Sequence, residues 1–345
     1  MAGSSCGVVG YLGTWVLGRF VTYSLAILSD PHYASAAEQA RGDDFEYRDI
    51  PNPLLRATIH AYRHFVWMRH PLRQNAQLDR FLAGVGKVDY AIVNGDYSCS
   101  TAFVGLSDDG AFASARECLG KLRSRFGDRL RLTLGDHEFG KLRITGDRGG
   151  MRLASWHRAV EDLGIAPFWQ LELGRYVLIG VTSSLIALPL LSSDIPPEEE
   201  PEWERLRAQH LERIRSAFGA LPADRRVLLF CHDPTALPFL AREEIVRSKL
   251  PQIEQTLIGH LHSNFYFRIS TILAGMPVIR WLGHTPRKLS AALHEARFWK
   301  PFNVRLCPSL AGIELLKDGG YLTIELDAEA KGPVRCTFHP LRRQH

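Results

Sequence analysis

A chain of 345 residues, 46% apolar and 23% charged, holds enough apolar material for a large buried core, which excludes a disordered or low-complexity protein. Its 42 Lys and Arg against 37 Asp and Glu leave a net charge of +5 spread along the chain with no basic block, so nucleic acid is not an expected partner. The six cysteines include no Cys-x-x-Cys pair, which reads as free thiols in a reducing compartment rather than a disulfide framework, and the expected location is cytoplasmic.

Residues 1–22 are apolar but lack a basic n-region and a small-residue cleavage site, and Arg19 and several glycines interrupt them. Neither a signal peptide nor a membrane-spanning helix is expected there, only an apolar N-terminal extension that leaves peripheral membrane or lipid contact open. YSLAIL, residues 23–28, predicts a buried strand ending in Asp30 and His32. Residues 33–73 form an insertion, a polar loop followed by LLRATIHAYRHFVWMRHP, whose apolar and aromatic residues recur at helical spacing. Tyr62, Phe65, Val66 and Trp67 are expected to pack inward, with a lid, partner or lipid-facing surface as the alternative. His60 and His64 share a helix face with His70 nearby, and without a carboxylate beside them they read as solvated or stacked histidines.

A helix over 74–83 precedes VDYAIVNGD, a strand ending in Asp96. FASARECLGKLRSRF predicts a helix, and RLRLTL a strand ending in GDHEF, residues 135–139. Residues 156–163 read as helical, FWQLELGRYVLIGVTSS as a hairpin turned at Gly174 and Arg175, and the stretch after PPEEE as a helix with acidic residues early and basic ones late. RRVLLF is a buried strand ending in Cys231 and His232, with the thiol pointing into the core, and QTLIG a strand ending in His260 and His262. Beyond these, MPVIRWLG predicts a strand with His284 capping the loop after it, RKLSAALHEARFW a helix, and GIELLKDGGYLTIEL a hairpin turned at 318–320. Repeats and linkers are absent from the sequence, so one elaborated α/β domain over 1–345 is expected.

In such sheets ligands gather at the carboxyl ends of strands. Here five strand ends carry Asp30 and His32, Asp96, Asp136 and His137, His232, and His260 with His262. Carboxylates and imidazoles without sulfur suit hard-to-borderline divalent metals, and eight such side chains suit two ions rather than one.

Taken in order, DPH, GD at 95–96, GDHE at 135–138, CH at 231–232 and GHLH at 259–262 resemble the motifs of the calcineurin-like metallophosphoesterase superfamily. The resemblance implies a layered α/β fold with central sheets flanked by helices. It implies two divalent or trivalent transition-metal ions, Mn, Fe or Zn, with Asp30, His32 and His262 on the first, Asp136, His232 and His260 on the second, and Asp96 bridging. It further implies hydrolysis of a phosphomonoester or phosphodiester of a small molecule or nucleotide by in-line attack of a bridging hydroxide. His137 would be general acid or charge stabiliser, and Glu138 would orient an imidazole.

Two departures stand out. Asp136 occupies a position where the superfamily usually has Asn, which lowers the positive charge of the site by one unit and removes an amide donor for phosphate. After Asp96 the chain runs Tyr97, Ser98, Cys99, Ser100 instead of the Val-Asp-Arg-Gly of the protein phosphatases, which disfavours a phosphoprotein substrate. Tyr97 does not match the metal-bound Tyr of purple acid phosphatases. The alternatives are a lipid-linked pyrophosphate hydrolase at a membrane surface, a nuclease, and a non-catalytic adaptor keeping the fold.

Overall fold

The computed structural model describes residues 21–48, 50–99, 103–140, 150–192, 195–281 and 284–341. The N-terminal extension up to residue 20, Cys6 within it, and the side chain of His284 lie outside the described residues. The remaining five cysteines are free thiols.

Among the described residues the strands form two five-stranded sheets. In the first, β1 (Thr22–Leu28), β2 (Tyr90–Asn94) and β3 (Leu130–Thr133) run parallel, while β9 (Gly320–Asp327) pairs antiparallel with β1 and with β10 (Arg335–Pro340). In the second, β5 (Tyr176–Val181), β6 (Arg226–Cys231), β7 (Ile253–Ile258) and β8 (Val304–Leu306) run parallel, and β4 (Phe168–Leu173) forms the expected hairpin with β5.

Side-chain alternation explains the layering. Leu25 and Ile27 of β1 and Leu228 and Phe230 of β6 point into one shared core between the sheets. Their neighbours Ala26 and Leu28, and Val227, Leu229 and Cys231, point outward under helices. Strands buried on both faces must be apolar throughout, which is why YSLAIL and RVLLFC read as continuous runs. The fold is therefore α/β, two central sheets covered by helices on their outer faces.

Local chemistry sets the helices. Asp108 caps Asp109–Phe126 by accepting from the Gly110 and Ala111 amides, and Asn52 caps Pro53–Tyr62, whose proline stands where no N–H is needed. The long helix Glu200–Gly219 carries Glu200 and Glu202 in its first turn. Leu153–His157 continues as a π turn through Asp162, so the 156–163 helix starts earlier than the sequence suggests.

Three expectations need correction. MPVIRWLG contributes no strand through Trp281: Pro277 lacks an amide, Ile279 donates to Ser290 Oγ of the following helix, and the sheet position beside β7 is taken by β8. GIELL is not a hairpin arm, because it turns on itself through Lys317 N–H to Ile313 and bonds the Trp67 and Val66 carbonyls, leaving β9 to pair with β10. The inward packing expected of Tyr62, Phe65, Val66 and Trp67 fails for the first two. Tyr62 is 44% and Phe65 62% exposed, Val66 and Trp67 are half-buried, and Met68 is the residue that enters the core.

Candidate metal centre

Every expected site residue stands at or just beyond the carboxyl end of β1, β2, β3, β6 or β7, and cross-loop backbone bonds hold these ends together. Asp30 N–H donates to Gly95 O (3.2 Å), His32 N–H to Asp96 O (3.1 Å), and Gly259 N–H to His232 O (2.9 Å). Asp30, His32, Asp96, His260 and His262 all have positive φ, between 44° and 60°. Non-glycine residues avoid this region, so five such residues at one site mark backbone strain that the surrounding contacts must sustain.

The motif glycines are there for space. A Cβ on Gly135 would lie 2.1 Å from Asp96 Oδ1, and one on Gly259 would lie 2.0 Å from Ser29 Oγ and 2.7 Å from Asp30 Oδ2. Any side chain at either position would displace an acidic side chain of the site.

The side chains form interlocking groups whose ligand atoms lie within 4.8 Å of one another: Asp30, His32 and His262; Asp136, His232 and His260; Asp30, Asp96 and His232; and His32, Asp96 and His137. His232 Nε2 is 3.2 Å from both Asp96 and Asp136, and His260 Nδ1 is 2.8 Å from Asp136. Asp96 belongs to groups on both sides, and Asp136 joins only His232 and His260 among these groups.

Asp30 tests whether the residues fit an ion. Its Oδ1 is buried without a hydrogen-bond partner, 3.3 Å from Nε2 of His262 and 3.7 Å from Nε2 of His32. A buried carboxylate oxygen with no donor is costly, and a cation shared with two imidazoles removes that cost. The two Nε2 atoms are 3.1 Å apart.

The far sides of two of these imidazoles, His32 and His232, are held in the manner of metal ligands, while His262 Nδ1 is buried without a hydrogen-bond partner. His32 Nδ1 meets Ser98 O at 3.2 Å, and His232 Nδ1 meets Asn94 O. Burial raises the Asp30 pKa. Burial would raise Asp136 too, but His260 and the bonds from His232 and His260 hold it well below the usual carboxylate range. Burial and the neighbouring His32 push His262 well below its ordinary value, which leaves its imidazole neutral, the form that coordinates metal.

His137 sits at the rim, half-buried, its amide donating to Asp96 Oδ1 at 3.1 Å and its ring centroid 5.0 Å from that of His32. Glu138 differs from expectation. It touches no imidazole, and instead accepts from the amides of Asp96 (3.0 Å), Tyr97 (2.8 Å) and Gly135 (2.8 Å), fixing the β2 and β3 loops against each other. Burial and the Asp96 charge push its pKa up to about 8, against the downward pull of those three bonds. Tyr97 points away from the site, its hydroxyl donating to Thr133 O at 2.7 Å.

Other histidines stay apart. His60 and His64 meet at a tilt of 43°, ring centroids 5.8 Å apart, while His70 pairs with Asp43 at 2.8 Å, a carboxylate that sequence spacing did not bring near.

Four contributors were missed. Ser29 bonds Asp30 and Asn94 O. From the insertion, Trp67 lays its ring 4.6 Å from that of His262, and Arg63, ion-paired to Glu46, joins it in the wall of a 220 Å³ cavity shared with His32, His137 and His262. Ser29 was visible as the residue before DPH, and the aromatic-basic composition of the helix was the signal for Trp67 and Arg63; nothing in sequence marked Glu46.

No family model matches the sequence, and no curated protein matches it. Among solved structures, a dimetal phosphatase from Danio rerio is 12% identical, the match covering 88% of this chain and 92% of that one with a TM-score of 0.44. A phosphopantetheinyl hydrolase from Mycobacterium tuberculosis is 13% identical over 69% of this chain and 83% of that one, TM-score 0.32. A purple acid phosphatase from yellow lupin (Lupinus luteus) is 10% identical over 71% of this chain and 38% of that one, TM-score 0.35. With Asp- and His-bearing strand ends in the superfamily's order, gathered at one edge of a two-sheet α/β fold, the chain resembles the calcineurin-like metallophosphoesterases in motif and in architecture.

Proposed function

We propose that the chain is a dinuclear metal-dependent phosphoesterase acting on a small phosphorylated molecule. The observation that carries the reading is Asp96, buried between Asp30, His232, His32 and His137 in two overlapping groups, where one carboxylate can serve both sides of the site. Asp30, His32 and His262 would hold one ion, and Asp136, His232 and His260 the other. When bound, two such ions supply Lewis-acid charge to a phosphoryl oxygen and acidify a water.

The chain's own residues do the rest. His137, at the rim of the 220 Å³ cavity, is placed to hold or deliver a proton at the leaving oxygen. Arg63 offers a guanidinium on the same wall, in a fold that lacks the Arg of the protein-phosphatase motif, and its Nε is buried without a hydrogen-bond partner. Trp67 fixes the His262 ring by packing on it.

A second reading, hydrolysis of a lipid-linked pyrophosphate, is favoured by a cavity of about 690 Å³ that runs from Asp136, His137 and His260 to Leu190, Leu191 and Leu289. Such a volume suits an apolar substrate body.

The test is a substrate panel with chelator-stripped protein reloaded with Mn, Fe or Zn: aryl monoester, aryl diester, cyclic nucleotide and nucleotide sugar. Metal-dependent turnover of at least one class, lost in His137→Ala, is expected. No turnover from protein carrying two ions per chain would overturn the reading.

A further inference from the structure

Beside the candidate metal centre lies an exposed apolar face of which only Leu289 enters the hydrolytic readings. Leu54 (77% exposed), Phe65 (62%), Ile272 (80%), Trp281 (81%) and Leu289 (61%) all stand out from the surface. Scattered apolar residues are ordinary, so contiguity is what matters. The segments that carry them are tied together: Tyr62 to Tyr266 through their hydroxyls (2.9 Å), Val66 to Leu315 by a backbone bond (3.2 Å), and Ile279 to Ser290 Oγ (2.8 Å). Trp67, packed on His262, sets this face against the mouth of the site.

Charge says what the face meets. Residues 50–78 and 255–294 contain no Asp or Glu, while Arg56, Arg268, Arg280 and Arg287 are exposed within them. Of the acids beside these stretches, Glu46 is ion-paired to Arg63, Asp43 pairs with His70, Asp318 accepts from Ser263, and the Glu314 amide donates to Trp67 O. The apolar centre of a protein interface is depleted of charge, whereas apolar side chains interleaved with arginines and almost free of acids match the boundary of an anionic bilayer. No helix among the described residues is long and apolar enough to cross a membrane.

We propose that this face docks on anionic lipid and holds the mouth of the metal centre at the membrane surface. The proposal goes beyond the hydrolytic reading, since docking is measured without turnover.

The test is co-sedimentation of the full chain with vesicles of phosphatidylcholine alone and of phosphatidylcholine mixed with phosphatidylglycerol. Binding to the anionic vesicles only, weakened by salt, is expected. Each exposed arginine near the surface is worth about fivefold in partitioning, so Arg268→Gln with Arg280→Gln should lower binding roughly twenty-five-fold. Phe65→Ser with Ile272→Ser and Trp281→Ser should abolish it, with an unchanged circular dichroism spectrum and an unchanged metal content. No binding to anionic vesicles at low salt, equal binding to neutral ones, or binding that survives the apolar triple substitution would each overturn the proposal. So would a concentration-dependent dimer that these substitutions dissolve while vesicles are ignored.

Discussion

Gly259→Ala isolates space from backbone freedom. Gly259 lacks a positive φ, so alanine fits its backbone, and what the methyl meets is Ser29 Oγ at 2.0 Å, Asp30 Oδ2 at 2.7 Å and His232 Nδ1 at 3.0 Å. Ordinary contact begins near 3.4 Å, so Ser29 must give by about 1.4 Å and Asp30 by about 0.7 Å. Ser29 cannot swing away without leaving its bonds to Asp30 and Asn94 O, and His232 is pinned by Asn94 O as well. Overpacking of this kind costs roughly 1–3 kcal/mol, and a displacement near 1 Å at a reacting centre costs about a hundredfold in rate. Gly259→Ala should therefore lose about a hundredfold in turnover and bind metal more weakly. Ser29→Ala removes the 2.0 Å contact but leaves the one with Asp30, so the double variant should recover part of the loss. Denaturant titration, metal content and turnover of the four forms make a double-mutant cycle. Full metal content and turnover in Gly259→Ala, or no coupling to Ser29, would refute the packing argument.

Other outcomes follow from single residues. Gly120 is exposed in the helix Asp109–Phe126, and a methyl added there would meet nothing within 4 Å, so Gly120→Ala should raise stability by about 0.5–1 kcal/mol, read from the denaturation midpoint. His210 is buried, accepts from the Thr182 amide at 3.0 Å, and is pushed down to about 3 by burial and Arg213. Its folded pKa lies below the ordinary 6.5, so its contribution is full above pH 6.5 and declines as pH falls toward 3. At pH 5 the loss is about 2 kcal/mol, and the stability difference between wild type and His210→Gln should shrink by that amount from pH 7 to pH 5. A difference independent of pH would contradict this. Arg63→Gln should raise KM for a phosphate ester more than it lowers kcat, with Arg63→Lys intermediate; equal loss in both would remove Arg63 from substrate binding. Asp136→Asn should retain two ions and change phosphate affinity, measured by inhibition with inorganic phosphate.

The strands that carry the site were legible because burial on both faces forces continuous apolar runs, and polar residues that end such runs stand out, as in YSLAIL before Asp30. Strand pairing was less visible. GIELL and YLTIEL look alike in composition, and only the Trp67 and Val66 carbonyls, far away in sequence, decide that the first is a turn. The insertion misled for a related reason. Helical spacing gives an apolar face but not what covers it, and Phe65 faces outward while Trp67, two residues on, packs on His262. Glu138 binds backbone amides where an imidazole was expected, because backbone amides leave no mark in a sequence.

The central claim is that Asp96 is shared by two ion sites. Elemental analysis of metal-reloaded protein, with Asp96→Asn alongside, tests it most directly. Two ions per chain in the wild type, falling in Asp96→Asn at both sites rather than one, is the predicted result, and at most one ion per wild-type chain would contradict it.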